Sequence, residues 1–149
     1  MKWINEPESG RLTGTLFLDG SGLFPQWQQL RRAGWSIVQV DRFGEMQAAA
    51  YGPVPVDFGP GQVARDGEDF AVFMLTICAT PPFQLFIDCE GTLKCLHRGV
   101  QYAAGPGNPR AHMWGPFYAQ FEGEEFTATK TLAHPSKKDV EENKTTVWK

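Results

Sequence analysis

Cysteine is scarce in this sequence and unpatterned. The 3 cysteines, Cys78, Cys89 and Cys95, form no CxxC pair, so reduced thiols in an intracellular compartment, cytoplasmic or nuclear, are expected rather than a disulfide framework. Long hydrophobic runs are missing too: no apolar stretch approaches the roughly 18 residues of a membrane span, and the start carries no basic segment followed by an apolar one. The expectation is a soluble protein with no membrane partner. Positive charge is also short, with 14 Lys and Arg against 17 Asp and Glu for a net −3. That argues against a generally basic coat for nucleic acid, although acids gathered around a divalent cation would still let the chain hold phosphates. Glycine and proline are plentiful, 16 and 11 in 149 residues, which implies many turns. One domain spanning 1–149 is expected, large enough to fold without a metal or disulfide staple.

Residues 12–19, LTGTLFLD, mix β-branched and apolar residues and stop at a glycine signal, so they read as a strand running into the core. AGWSIVQVD, 33–41, reads as a second strand, and GSGLFPQWQQLRR between them as a surface excursion too long for a tight hairpin. A third strand at 45–54 completes an antiparallel meander that leaves through GPVPVDFGPGQ. The spacing of Ala71, Met74, Leu75 and Cys78 predicts a helix over 64–80, stopped by the prolines at 81 and 82. FQLFIDC, 83–89, has the continuous apolar character of a strand covered on both faces. Helices follow at 90–99 and at 108–123, the latter bent by Pro116, then a strand at 124–134. Ser136 is a candidate N-cap for a terminal helix that the chain does not complete.

Three carboxylates fall in comparable places. Asp19 ends the first strand, Glu68 lies in the first turns of the long helix, and Asp88 ends the fourth strand. Strand ends and a covering helix can converge on one crevice. Carboxylates brought that close repel one another unless a cation neutralises them, and hard oxygen ligands suit Mg²⁺ or Mn²⁺. Gly20, Ser21 and Gly22 would let a bulky polyanion approach the backbone beside Asp19. Taken alone, DGSG also reads as an ordinary turn.

The order of elements and motifs resembles the ribonuclease H domains, particularly those of reverse-transcribing retroelements, over about residues 12–149. LDGSG stands for the motif that ends that family's first strand, DGEDFAVFML for the glutamate at the start of its first helix, and FIDCEG for the motif ending its fourth strand. The resemblance implies a mixed α/β ribonuclease H-like fold: a five-stranded mixed sheet, three antiparallel strands first, with helices on both faces. It implies that Asp19, Glu68 and Asp88 hold two divalent ions, Mg²⁺ or Mn²⁺, and cut the RNA strand of an RNA–DNA hybrid. His134, in KTLAHPSKKDVEENKTTVWK, would flank the site and assist product release. Gly20, Ser21 and Gly22, with Lys94 and Arg98 from KCLHRG, would contact the substrate. A monomer or a part of a larger retroelement polyprotein is expected.

Departures accompany the likeness. Gly67 stands where the family has alanine and Cys89 where serine is common, and the family's fourth acid has no counterpart before Lys149. Asp139 falls too early to serve. A chain cut short there is expected to be a weak or inactive nuclease. The missing acid sustains an alternative, a noncatalytic module of the same fold that binds nucleic acid or a partner protein. Another nuclease or integrase of the superfamily is a third reading, which would lack a helix-borne glutamate so soon after the meander. Among lesser candidates, Trp27 in the excursion reads either as packing or as a stacking surface for a base or sugar. LRR at 30–32 could meet phosphates. His97 and His112 read as helix-surface residues, and His134 equally as a surface or capping residue.

Overall fold

The computed structural model describes residues 1–24 and 26–131. In chain order the elements are β1 (Lys2–Ile4), β2 (Leu12–Leu23), β3 (Arg32–Val40), β4 (Met46–Pro53), α1 (Ala64–Cys78), β5 (Ala79–Ile87), α2 (Glu90–Arg98), α3 (Val100–Ala103), α4 (Ala111–Gln120) and β6 (Phe126–Lys130). They build one mixed sheet in the order β1-β4-β3-β2-β5-β6. The pairs β1–β4, β2–β3 and β3–β4 are antiparallel, and β2–β5 and β5–β6 are parallel.

The sheet has six strands rather than the expected five. The additional one, β1, is three residues long and pairs at the edge, Trp3 opposite Ala50, too short to carry a periodic signal. A second correction concerns Asp19, which does not end its strand. β2 continues through Gly20, Ser21 and Gly22, paired with Trp35, Gly34 and Ala33 of β3, so the excursion shrinks to residues 24–31. The prolines that were to stop α1 lie within β5. Pro81 and Pro82 sit where the β2–β5 register breaks between Leu12↔Ala79 and Gly14↔Phe83, a position where a missing N–H costs no regular ladder bond. Helix α1 thus passes directly into the strand.

Alternation along the strands separates the two faces of the sheet. Leu16, Leu18, Ile37 and Ala50 join α1, α2 and α4 in the main core, where Ala71, Met74, Leu75 and Cys78 are buried as their spacing predicts, together with Met113, Trp114 and Phe117. Phe17, Val38, Val40 and Ala49 form a smaller cluster on the opposite face, with Phe17 stacked on Phe86 at 5.1 Å. The second cluster contains no residue of the described helices, whereas α1, α2, α3 and α4 all contribute buried side chains to the first. The helix expected from Ser136, and His134, lie outside the described residues. Among the described residues no helix is long and apolar enough to cross a membrane. The three cysteines are free, and burial pushes the thiols of Cys78 and Cys95 up to about 12 and about 11, which leaves them protonated and unreactive near neutrality.

Candidate functional site

The parallel register of β2 and β5 fixes the first two acids. Thr15, Leu16 and Phe17 pair with Gln84, Leu85 and Phe86, and continuing that register by two residues sets Asp19 beside Asp88. Both follow their phenylalanine by two positions, so both share the face on which Phe17 and Phe86 stack. The parallel ladder has ended there, which leaves room for a side chain to enter from α1.

Glu68 enters at that point because α1 crosses the sheet at very short range. A Cβ on Gly20 would lie 2.3 Å from the Glu68 backbone nitrogen, one on Gly22 would lie 3.1 Å from that of Ala64, and one on Gly67 would lie 1.9 Å from the Gly34 carbonyl oxygen. These glycines are therefore required by the helix–sheet crossing. The space beside Gly20 is filled by α1, not left open for a polyanion as the sequence suggested. Gly67, a departure from the family pattern, has the same cause.

The outcome is one cluster: Asp19, Glu68 and Asp88 each offer a carboxylate oxygen, all within 4.8 Å of one another. The Gly20 N–H donates to Asp19 Oδ1 at 2.9 Å. Glu68 is 7% exposed, and its Oε2 is buried with no hydrogen-bond partner. Burial, followed by the charges of Asp19 and Asp88, pushes the Glu68 carboxyl up to about 9, against a smaller opposing hydrogen bond from the Gly20 backbone. Among the described residues no Arg or Lys side chain forms an ion pair with these three. Hard oxygen donors converging without a counter-charge, one of them orphaned, form a donor set that fits a hard divalent cation.

The remaining substrate candidates divide. Ser21 shares with Asp19, Ser36 and Tyr51 a groove of about 520 Å³ that crosses the sheet face carrying the acids, with Ile4 and Val38 also in its lining. Lys94 and Arg98 are exposed one turn apart on α2, Arg98 with its guanidinium 4.9 Å from the centre of the Tyr102 ring. Trp27 is 53% exposed and tilted 6.3 Å from Phe24, which separates it from the packing tryptophans Trp35 and Trp114, both buried. Next to it, Arg31 Nε is buried without a partner. The ring nitrogens of His97 and His112 engage backbone carbonyls, those of Ala128 and Phe58.

Sequence reasoning overlooked two further acids of α1. Asp66 accepts from the backbone N–H groups of Gly61 and Val63, each at 3.0 Å, and from Arg110 Nε at 2.7 Å. Asp69 bonds to Arg65, Thr92 and Trp114. Both are fully buried. Lys130 was overlooked as well; its Nζ donates to the Asp88 carbonyl at 3.1 Å and to Glu90 Oε1 at 2.9 Å, joining β6 to the turn that carries Asp88. The only sequence signal for Asp66 and Asp69 is their position on a helix whose neighbouring turns are apolar.

No family model matches the sequence, and no curated protein matches it significantly. Solved structures do. The solution structure of the PFV RNase H domain superposes with a TM-score of 0.61 at 17% identity, covering 89% of this chain and 86% of that one. Prototype foamy virus protease-reverse transcriptase gives 0.62 at 16% identity, over 93% of this chain and 20% of that one. The foamy viral protease-reverse transcriptase in complex with an RNA/DNA hybrid gives 0.57 at 10% identity, over 91% and 19%. With the parallel β2–β5 pair, the crossing helix and the acids at their junction, these likenesses show that the chain has the ribonuclease H fold.

Proposed function

We propose that this chain is a divalent-cation-dependent endonuclease that hydrolyses the RNA strand of RNA–DNA hybrids, as a ribonuclease H domain of a retroelement polyprotein. The observation that carries this reading is the convergence of Asp19, Glu68 and Asp88 within 4.8 Å at the junction of β2, β5 and α1. Those three carboxylates would hold Mg²⁺ or Mn²⁺, two ions in a complete site. Bound there, the cations would supply the charge that activates a water for in-line attack and stabilises the leaving oxygen of the phosphodiester.

The chain's own groups prepare that chemistry. The Gly20 N–H orients the Asp19 carboxylate, and Glu68, its carboxyl pushed up to about 9 by burial and by Asp19 and Asp88, would hold a cation in its deprotonated form. The groove beside Asp19 offers Ser21, Ser36 and Tyr51 to the sugar edges of a duplex, where 2′-hydroxyls distinguish RNA. Exposed Lys94 and Arg98 would meet phosphates. His134, outside the described residues, is assigned to product release. A noncatalytic module remains the second reading, favoured by one observation: among the described residues the cluster contains three carboxylates, where the resemblance implies a fourth.

The test is cleavage of an end-labelled RNA strand annealed to DNA in Mn²⁺ and in Mg²⁺. Asp88→Asn is expected to slow cleavage by about a hundred- to thousandfold, the usual loss of one transition-state charge contact. RNA shortened equally fast by wild type and Asp88→Asn contradicts the assignment. Intact RNA with the wild type, despite tight hybrid binding, favours the noncatalytic module.

Binding provides a separate expectation. Trp27→Ala should weaken hybrid affinity by about 1–3 kcal/mol, the range for loss of one stacked base, with its salt slope unchanged because no phosphate contact is removed. Anisotropy titrations at two salt concentrations measure both quantities. Affinity equal to wild type would remove Trp27 from the interface.

A further inference from the structure

Asp69 follows Glu68 in the chain, is wholly buried, and gathers donors from three helices. Arg65 Nε and Nη2 on α1 donate at 2.9 and 3.2 Å, Thr92 Oγ1 on α2 at 2.5 Å, and Trp114 Nε1 on α4 at 3.0 Å. Thr92 lies four residues beyond Asp88, in the first turn of α2. Arg65 makes a second tie to that turn: a Cβ on Gly91 would lie 1.9 Å from its Nη1, so the guanidinium is seated directly on the α2 backbone. The helix that carries Glu68 and the turn that carries Asp88 are thus joined on the buried side of the site by one satisfied carboxylate.

A buried ion pair of this kind gives little net stability over an apolar replacement, whereas its bonds are directional. We infer that Asp69, acting through Thr92 and Arg65, is a positioning residue that sets the separation of the Glu68 and Asp88 carboxylates. This inference rests on the reading of those carboxylates as a cation site. The path is short on both sides: one residue from Asp69 to Glu68, four from Thr92 to Asp88. Loss of the Thr92 hydroxyl should therefore loosen the cation site beyond any general loss of stability.

The experiment is Mn²⁺ binding by calorimetry, together with melting temperature in chelator, on the full chain and five variants. Thr92→Val keeps the side-chain shape and removes the donor; it should bind Mn²⁺ about three- to tenfold more weakly, less than the 10–100-fold typical of a direct partner to a ligand. Thr92→Ser, which restores the hydroxyl, should bind within about twofold of wild type on the same scale. Leu12→Val, a change in the buried core at the far end of β2, should lower the melting temperature and leave the affinity alone. If Thr92→Val does not fold, Arg65→Lys, which keeps the charge and loses the two-pronged bond, carries the test with the same expected loss. Wild-type affinity in folded Thr92→Val, or an equal loss in Leu12→Val, overturns the positioning role. If the wild type shows no Mn²⁺ binding that Asp88→Asn removes, the cation-site reading fails and the inference falls with it.

Discussion

In chelator at pH 8, Glu68→Gln should melt at a higher temperature than the wild-type chain and should show no stabilisation by Mn²⁺. Glu68 titrates near 9 in the folded chain, pushed up by burial and by Asp19 and Asp88, against an ordinary 4.5. Between those values the folded state holds a proton that the unfolded chain has released. The associated stability is complete below about 4.5 and is lost as pH rises through 9, at up to about 1.4 kcal/mol per pH unit for one proton. Glutamine keeps the shape without the charge and removes this dependence. From 4.5 to pH 8 that amounts to about 5 kcal/mol, and at about 2–4 °C per kcal/mol for a chain of this size a rise of about 10–20 °C is expected at pH 8, shrinking toward pH 5. In the wild type Mn²⁺ should replace the proton, so its stabilising effect should grow with pH. Melting curves at pH 5, 6.5 and 8, with and without Mn²⁺, decide the matter. A wild-type chain whose melting temperature is flat across that range, or Glu68→Gln stabilised by Mn²⁺ as strongly as wild type, contradicts the account.

Gly67→Ala should be among the most damaging single changes in the protein. Within a helix this substitution ordinarily adds about 1 kcal/mol of stability. At Gly67 the new methyl would stand 1.9 Å from the Gly34 carbonyl oxygen and 2.9 Å from the Gly20 Cα, both backbone atoms of central strands that cannot rotate aside. Accommodation requires α1 to lift off the sheet, which opens the core around Phe70, Ala71 and Leu75 and withdraws Glu68 from Asp19 and Asp88. A loss beyond about 4 kcal/mol is expected, in the range reserved for overpacking and strain. Urea denaturation measures it. Gly20→Ala meets the same backbone from the other side, 2.3 Å from the Glu68 nitrogen, and should behave alike. A folded Gly67→Ala chain with wild-type midpoint would show that the crossing is looser than the geometry requires.

The helix periodicity of residues 71–78 and the apolar run of β5 were legible because burial on one face or both imposes a local pattern. The acid cluster was legible for a related reason: Asp19 and Asp88 each end an apolar run, and the parallel register converts that likeness into adjacency. What sequence could not supply lies in contacts between distant segments. Gly20 and Gly22 carry the same turn signal whether the chain reverses there or another backbone crosses, and here α1, more than forty residues on, makes the crossing. Asp66 and Asp69 look like solvated helix acids until Arg110, just before α4, Thr92 of α2 and Trp114 of α4 arrive. Three-residue β1 has no period to detect and is held by its pairing with β4 and by Trp3 packed against the core.

The most direct measurement is the anomalous scattering of crystals soaked in Mn²⁺ at pH 8. A manganese peak coordinated jointly by carboxylate oxygens of Asp19, Glu68 and Asp88 is expected, with Glu68 Oε2 no longer without a partner, and that peak should vanish in Asp88→Asn crystals. Ordered density for all three side chains with no manganese between them, or a peak that survives Asp88→Asn unchanged, would contradict this expectation.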